Sequence, residues 1–153
     1  MNMEKLYFDD YTEGEVFVSP GRTITETDIV MFAALTGDWH PLHTNVEYAK
    51  DTPFKERIAH GMLGLVIGSA LMVRAGQYVI LPKSFIAFYG MENVRFTAPI
   101  KIGDTIHCEA KIKSLTPKGK DRGIIEEEQV IKNHRGEDVI IFTTRILAGR
   151  KPA

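Results

Sequence analysis

Cysteine is almost absent from this sequence. Cys108 is the single cysteine among 153 residues, so an internal disulfide is excluded and a cysteine-rich zinc site is disfavoured. The acidic N-terminal segment also lacks the apolar stretch of a secretory signal. These features predict a reducing, cytoplasmic environment, in which Cys108 is an inert core residue.

The sequence has no excess of charge of either sign. Its 19 basic and 20 acidic residues leave a net charge of −1, so no strong field attracts nucleic acid or an anionic membrane. The uncharged run Gly61–Val73 would form a helix of roughly 20 Å, which is too short to cross a bilayer. We therefore predict a single globular domain over residues 1–153, with no nucleic-acid partner and no membrane span.

Several catalytic motifs are also missing. The chain has no GxSxG nucleophile elbow, no GxxxxGK[ST] phosphate loop and no strand–GxGxxG–helix unit. The function must therefore depend on another arrangement of side chains.

Alternating apolar and polar residues predict β-structure in the second half of the chain. In Thr105–Lys113 every second residue is apolar, which is typical of a strand with one buried face. Turn signals at Pro117–Gly119 and Asn133–Gly136 separate this strand from its successors. Strands are predicted at Ile86–Phe96, Thr105–Lys113, Gly123–Lys132 and Asp138–Leu147, with shorter extended pieces at Glu15–Ser19 and Arg22–Thr25.

Helices are predicted in the first half. Thr25 followed by Asp28 is typical of a capped helix start, and Gly37 is suited to end that helix. A short helix is expected at Val46–Lys50, and a longer one at Gly61–Arg74 is apolar on every side, which predicts burial. This order of elements predicts an α+β fold, in which a long antiparallel sheet wraps around one central helix.

Three glycines of the central helix fall near one face. Gly61, Gly64 and Gly68 each cost ~1 kcal/mol of helix stability relative to alanine. We expect a sheet or a partner backbone to approach that face closely. Glycines that are merely tolerated in a buried helix are the simpler alternative.

The densest group of chemically active side chains is Asp38–His43. It places one carboxylate and two imidazoles within six residues, and Pro41 stiffens the segment by restricting its own φ and the conformation of His40. Asp38 and His43 could share one water and exchange protons with it, as general acid–base catalysis requires. A turn cap at Asp38 with surface histidines is the structural alternative.

Metal binding is a competing interpretation of the same region. Asp38, His40, His43 and His60 offer ligand types that zinc accepts. The His-x-x-His spacing is nonspecific, however, and no HExxH helix or cysteine pair accompanies it. We therefore predict no metal.

His60 and Gly61 open the central helix. The first N–H groups of a helix have no internal partner and the dipole there favours negative charge, so a developing oxyanion could be held at Gly61. A plain helix start is the alternative. Ser69 lies two turns further on, and a serine in an apolar helix usually bonds back to its own helix carbonyls.

Three segments in one consistent order resemble a known enzyme family. They are Asp38–His43, Ile58–Leu63 with Ser69 after it, and Val94–Thr105. The first is similar to the Asp-x-x-x-x-His segment of the (R)-specific enoyl-CoA hydratases in the MaoC-like dehydratase family, and the last to that family's strand–Pro-x-x-x-Gly-Asp stretch. The resemblance covers about Asp10–Leu147.

The resemblance implies a hot-dog fold and a thioester reaction. The central helix would lie inside the sheet, an overhanging segment at Asp38–Lys55 would carry the catalytic pair, and sheets would join edge to edge in a homodimer or higher homo-oligomer. The implied reaction is (R)-specific hydration of a trans-2-enoyl-CoA to a 3-hydroxyacyl-CoA, or the reverse dehydration. Coenzyme A would be part of the substrate, and no other cofactor is expected.

The resemblance also implies residue roles. Asp38 and His43 would activate water, and Asp38 would protonate the α-carbon. Gly61 would donate its N–H to the thioester oxygen. Two residues would support the site: Ser69, which would orient the pair, and His60. Substrate contacts would come from His40, Pro41, Leu42 and Met62. His40 stands where these hydratases often have asparagine, a departure that affects substrate contact and not the acid–base pair.

Two other functions remain compatible with the sequence. A hot-dog thioesterase would use the same helix start and carboxylate to hydrolyse the C–S bond. A non-catalytic acyl-CoA-binding protein would bind the thioester without turnover, although the presence of Asp38 and His43 argues against it.

Overall fold

Six strands form one antiparallel sheet. They are β1 (Val16–Val18), β2 (Arg22–Thr23), β3 (Phe85–Phe96), β4 (Thr105–Lys118), β5 (Arg122–Asn133) and β6 (Asp138–Gly149). In the computed structural model, which describes residues 4–152, the strand order is β1-β4-β5-β6-β3, and β2 also pairs with β4. The long strands lie where the alternation predicted them, and β3 is an edge of the sheet.

One predicted turn is partly wrong. Pro117 pairs with Gly123 inside the β4–β5 ladder, and the chain reverses only after Lys118. Gly119 has a φ of 75°, a conformation that glycine adopts without a Cβ penalty. The fixed φ of proline is compatible with extended backbone, so Pro117 remains in the strand.

Among residues 4–152, four helices lie in the first half of the chain. They are α1 (Glu26–Thr36), α2 (Pro41–Thr44), α3 (Val46–Lys50) and α4 (Gly61–Leu71), with 3-10 turns at Phe8–Asp10 and Met72–Ala75. The central helix therefore ends its α-helical part at Leu71, earlier than predicted, and continues as a 3-10 turn. Within residues 4–152 no helix is both long and apolar enough to span a bilayer.

The capping prediction for α1 is confirmed. The Thr25 hydroxyl accepts the N–H of Asp28, and the Asp28 carboxylate accepts the N–H of Thr25 at 2.8 Å. Gly37 ends the helix with a φ of 79°. Helix α2 was not predicted, because it is one turn long and begins at Pro41, whose fixed φ suits the first helical position.

The glycine face of α4 packs against the sheet, as predicted. A Cβ added at Gly68 would overlap the side chain of Ile131 on β5, and one added at Gly64 would lie 2.5 Å from Ile100 Cδ1 and 3.1 Å from Ile140 Cδ1. The absence of a side chain therefore lets the sheet contact the helix backbone. This contact fixes the position of both ends of α4 relative to the strands.

The opposite face of α4 is exposed together with the edge strand. We call this surface the apolar stripe, and its members each expose between 40% and 57% of their area: Met62, Val66, Val73, Phe85, Phe88 and Phe96. Large apolar side chains along an unpaired strand edge are typical of a surface that another chain covers.

Candidate active site

The excursion between α1 and α4 brings three side chains together. Asp38 follows the left-handed Gly37, His43 lies in α2, and His60 directly precedes α4. One potential ligand atom from each of these three residues lies within 4.8 Å of the others. The turn at Gly37 and the short α2 thus direct the chain back to the N-terminal end of α4.

The hydrogen bond of His43 indicates which of its ring nitrogens carries the proton. Its Nδ1 lies 2.8 Å from the carbonyl oxygen of Ile58. A carbonyl only accepts, so Nδ1 carries the proton and donates, and Nε2 keeps a lone pair. Burial lowers the pKa of His43 below its usual value of 6.5, with the Ile58 carbonyl acting in the opposite direction. His43 is therefore a neutral imidazole that presents a basic nitrogen.

His60 joins the two other members of the group. It is 3% exposed, its Nε2 donates to the main-chain carbonyl of Asp38 at 3.0 Å, and its ring stacks on His43 with centroids 3.9 Å apart. Its Nδ1 is buried and has no hydrogen-bond partner among residues 4–152. His60 thus holds the backbone of Asp38 and the ring of His43 in one geometry.

Asp38 is exposed and lies in a local turn. One carboxylate oxygen accepts the N–H of His40 at 3.2 Å, and the N–H of Asp38 donates to the hydroxyl of Thr36 at 3.2 Å. The first bond orients the carboxylate and the second the backbone of Asp38, and the side chain stays exposed to solvent.

His40 has a structural contact of its own. Its Nδ1 accepts the N–H of Leu42 at 3.1 Å, which caps α2 ahead of Pro41. Four residues were predicted to contact the substrate. In the described part of the chain, Met62 is the only one of these four that lines the cavity next to Asp38, His43 and His60. The structure does not place His40, Pro41 or Leu42 on that wall, because this segment forms the turn and helix that carry His43.

A cavity of about 520 Å³ adjoins the group, and we call it the first cavity. His43, His60, Gly61 and Thr97 are the polar residues among those that line it. The remaining wall is mainly apolar, from Phe54, Ile58, Ala59, Met62, Phe96–Ile100 and Ile140. Sequence analysis assigned no role to Phe54, Phe96 or Ile140, although Phe96 lies in one of the segments that resemble the family.

Gly61 is positioned to donate a hydrogen bond into this cavity. It is the first residue of α4, so its N–H has no intrahelical acceptor and lies at the positive end of the helix dipole. A Cβ there would come within 2.9 Å of the Phe96 ring. Glycine therefore allows Phe96 to close one side of the cavity against the helix start.

Ser69 does not join the group. Its hydroxyl donates to the carbonyl of Val66 at 3.2 Å, the local bond that its helical context predicts. Eight residues of α-helix separate it from Gly61, about 12 Å along the axis, and it lines a different cavity. A direct orienting contact from Ser69 to Asp38 or His43 is therefore not present in the protomer.

In the described chain, Asp38, His43 and His60 are the residues whose ligand atoms lie close enough together to hold a metal ion. His40 is not among them. Imidazoles bind metals through lone pairs in the ring plane, whereas His43 and His60 lie face to face at an interplanar angle of 29°. The stacked arrangement suits mutual positioning better than ligation of one ion.

Comparisons with known proteins identify the class. The sheet with a helix packed inside it is a hot-dog fold of the α+β class, and the family model described as "MaoC like domain" matches residues 9–133. The chain belongs to the MaoC-like hydratase and dehydratase family.

Individual relatives agree with this assignment. An (R)-specific enoyl-CoA hydratase of Rhodospirillum rubrum is 40% identical over 114 residues, 74% of each chain. A 3-hydroxybutyryl-CoA dehydratase of Methylorubrum extorquens is 29% identical over 95% of each chain. A solved Archaeoglobus structure, described as a monoamine oxidase regulatory protein, covers 97% of each chain with a TM-score of 0.89 and 38% identity. The named enzymes among these relatives are hydro-lyases.

Proposed function

We propose that this protein catalyses the (R)-specific hydration of trans-2-enoyl-CoA thioesters, and the reverse dehydration of 3-hydroxyacyl-CoA, through Asp38 and His43. The observation that carries the proposal is the convergence of Asp38 with a neutral His43, which lines an apolar cavity together with the first residue of α4. The hydratase and dehydratase names of the relatives support this reaction class.

Water activation is assigned to the acid–base pair. In hydration, the lone pair of His43 Nε2 accepts one hydrogen of the water, and the Asp38 carboxylate accepts the other. As the water oxygen bonds to the β-carbon, its proton passes to Asp38. Asp38 then gives a proton to the α-carbon, so that both groups return to their starting states. Dehydration runs through the same steps in reverse.

We assign to Gly61 the stabilisation of the negative charge that develops on the thioester oxygen. Addition of water at the β-carbon moves electron density onto the carbonyl oxygen as an enolate. The N–H of Gly61, at the start of α4, is a donor fixed before the reaction begins. Preorganised donors of this kind are worth ~2.7–4 kcal/mol in other enzymes. The proposed mechanism requires no cofactor other than the coenzyme A of the substrate.

A homodimer completes the proposal. The apolar stripe includes the rim residues Met62 and Phe96 of the first cavity and runs along the edge strand β3. A second copy paired at this edge would satisfy the free backbone groups and cover the apolar side chains. The acyl-CoA would then bind next to the subunit interface.

Turnover of crotonyl-CoA tests the reaction class. We expect loss of the enoyl absorbance without release of free thiol, and a product of R configuration by chiral chromatography. Thiol release would indicate a thioesterase. Binding without turnover would indicate a non-catalytic acyl-CoA-binding protein.

Light scattering at micromolar concentration tests the assembly. We expect a mass of at least twice 17.2 kDa. A fully active monomer would contradict the proposed interface.

A further inference from the structure

Helix α2 depends on His40 at its start. The helix holds the proposed base His43 in only four residues, and its first residue is Pro41, which has no N–H. The first backbone donors of the helix therefore belong to Leu42 and His43. The Nδ1 of His40 accepts the N–H of Leu42 at 3.1 Å. The main-chain carbonyl of His40 accepts the N–H of His43 at 3.0 Å, so His40 holds both donors.

So short a helix has few other hydrogen bonds. The N–H of Asn45 donates to the carbonyl of Pro41 at 2.9 Å, and the hydroxyl of Thr44 donates to the carbonyl of His40 at 3.2 Å. Helix formation is cooperative and its first turn is the unfavourable step, so an isolated turn is only marginally stable. A bond that holds the first N–H therefore stabilises the whole of α2 and not merely its end. Loss of this bond would release the segment that directs His43.

His40 and His43 carry their ring protons on opposite nitrogens. Because a backbone N–H only donates, the Nδ1 of His40 holds a lone pair and its proton lies on Nε2. His43 carries its proton on Nδ1, which donates to the carbonyl of Ile58. A second proton on His43 leaves this bond in place and removes the basic Nε2. A second proton on His40 turns Nδ1 into a donor that faces the N–H of Leu42, so the cap is lost.

His40 is exposed, and its ring can exchange protons with solvent. The neighbouring turn and the helices α2 and α3 carry these ionisable side chains: Asp38, His43, Glu47, Tyr48 and Lys50. The carboxylate of Asp38 accepts the backbone N–H of His40 at 3.2 Å, and the α3 pair of glutamate and lysine is closed at 2.7 Å. The rings of His43 and Tyr48 contact the His40 ring edge-on, with centroids 6.1 Å and 5.8 Å away. Since histidine changes its charge between about pH 5 and pH 8, a histidine cap responds to pH in a range where an amide cap does not.

We propose that His40 is a positioning residue for His43, and that its neutral imidazole holds α2 so that His43 keeps its place next to Asp38. This role rests on the proposed function, in which His43 is the base. It adds a requirement that the acid–base pair alone does not impose: both histidines must be neutral, His43 to act as a base and His40 to cap the helix. Protonation of either ring would lower turnover by a different route.

NMR spectroscopy of the isotope-labelled protein tests the cap without turnover. The amide proton of Leu42 and the ring nitrogens of His40 report on the two sides of the bond. As the pH falls from about 8 to about 5, we expect both signals to change with the same midpoint, because protonation of Nδ1 breaks the bond. In His40→Asn, the side-chain carbonyl should keep the Leu42 amide in its hydrogen-bonded position over this range. A Leu42 signal that stays constant while His40 titrates in wild type would overturn the proposal.

Three substitutions separate the cap from the ring contacts. His40→Ala removes both, His40→Phe keeps a ring without an acceptor, and His40→Asn keeps an acceptor without a ring. With crotonyl-CoA at about pH 8, kcat should be about fivefold lower in the alanine and phenylalanine variants, the factor that loss of a typical cap gives. Asparagine should restore kcat to within about twofold of wild type. Recovery with phenylalanine instead of asparagine would assign the effect to the ring contacts and overturn the proposal.

The pH profile separates positioning from a general loss of stability. Dividing kcat of wild type by kcat of His40→Asn at each pH removes the contribution of His43, which both proteins share. We expect this ratio to fall about fivefold between about pH 8 and pH 5, as His40 becomes protonated. His107→Asn, which removes a histidine of β4, is the matched control and should follow wild type. A ratio that stays constant would contradict the positioning role.

The two kinds of measurement distinguish this role from the proposed function. If wild type does not hydrate crotonyl-CoA, the proposed function is contradicted, while the NMR signals still show whether His40 caps α2. If turnover follows the proposed mechanism but the Leu42 amide does not respond to pH, the proposed function stands and the positioning role of His40 is wrong.

Discussion

The two ends of the central helix carry different kinds of polar site. At its N-terminal end, Asp38, His43 and His60 come from one continuous segment, and the two histidines line the first cavity. At its C-terminal end, Glu127 and Thr144 come from two strands of the sheet and are fully buried. Groups near solvent can exchange protons with water, whereas the side chains of the buried network are held by hydrogen bonds to one another. The difference favours the N-terminal end of α4 as the place for the proposed proton transfer.

The largest effect is expected from Asp38→Asn. Asparagine keeps the shape of the side chain but cannot accept and return a proton, so kcat for crotonyl-CoA hydration should fall by ~10²–10⁴. The melting temperature should remain within a few degrees, because the side chain is exposed. Asp51→Asn, an exposed carboxylate of the same excursion, is the matched control. Retention of more than a tenth of wild-type turnover would exclude the assigned mechanism.

The two histidines of the catalytic segment should differ. His43→Ala removes the basic Nε2 and should lower kcat by ~10²-fold. His40→Ala removes the cap of α2, which costs about 1 kcal/mol of stability, and edge contacts with the rings of His43 and Tyr48, but no group of the proposed acid–base pair, so its effect on kcat should be smaller. Comparison of the two kcat values checks this. Equal severe losses, or activity removed by a chelator and restored by zinc, would favour the metal interpretation.

The pH profile sharpens the role of His43. Burial of the ring lowers its pKa below 6.5, and in the proposed mechanism the neutral form is the active one. We therefore expect the His43-dependent fall in kcat/KM to have its midpoint below pH 6.5, where the imidazole becomes protonated. A profile whose His43-dependent limb lies above pH 7 would contradict the assignment.

At the other end of the helix, stability should depend on the protonation of Glu127. Its pKa is raised from 4.5 to about 7, so the folded state binds more protons than the unfolded state between these values. Its contribution to the free energy of unfolding is complete below pH 4.5 and is lost, by about 3 kcal/mol, as the pH rises through 7.

Urea denaturation of wild type and Glu127→Gln at several pH values measures this contribution. The difference between the two proteins isolates Glu127, because the opposite effect of the lowered His43 pKa is common to both. We expect wild type to lose stability relative to the variant between pH 5 and pH 8. Parallel pH dependence in both would show that Glu127 is not the titrating group.

The smallest effect is expected from a substitution in the middle of α4, where its glycines contact the sheet. Gly68→Ala should lower the free energy of unfolding by about 1–3 kcal/mol, because the new Cβ displaces Ile131. The gain in helix propensity of ~1 kcal/mol offsets only part of this. Gly90→Ala on β3, where a Cβ meets nothing within 4 Å, is the control. An equal effect of both variants would mean that the contact can relax without cost.

Local sequence signals predicted the secondary structure around the N-terminal site well. Thr25, Asp28 and Gly37 define where α1 begins and ends, and Pro41 stiffens the segment that follows, all through interactions between near neighbours. The site at the other end gave a weaker signal. Alternation along the strand is consistent with Glu127 on the same face as Ile125 and Ile131, but a run of three glutamates is more typical of a solvated surface.

The sequence by itself determined the strand alternation, the helix caps, the glycine face of α4 and the side chains available for acid–base chemistry. These depend on backbone preferences and on spacing along the chain. Only the tertiary structure decided which nitrogen of His43 is free, that His60 binds Asp38, and that Ser69 lies apart from them. It also decided that Glu127 meets Thr144 beside a cavity. Hydrogen bonds and cavities between distant segments depend on the packing of the whole chain, which no local pattern specifies.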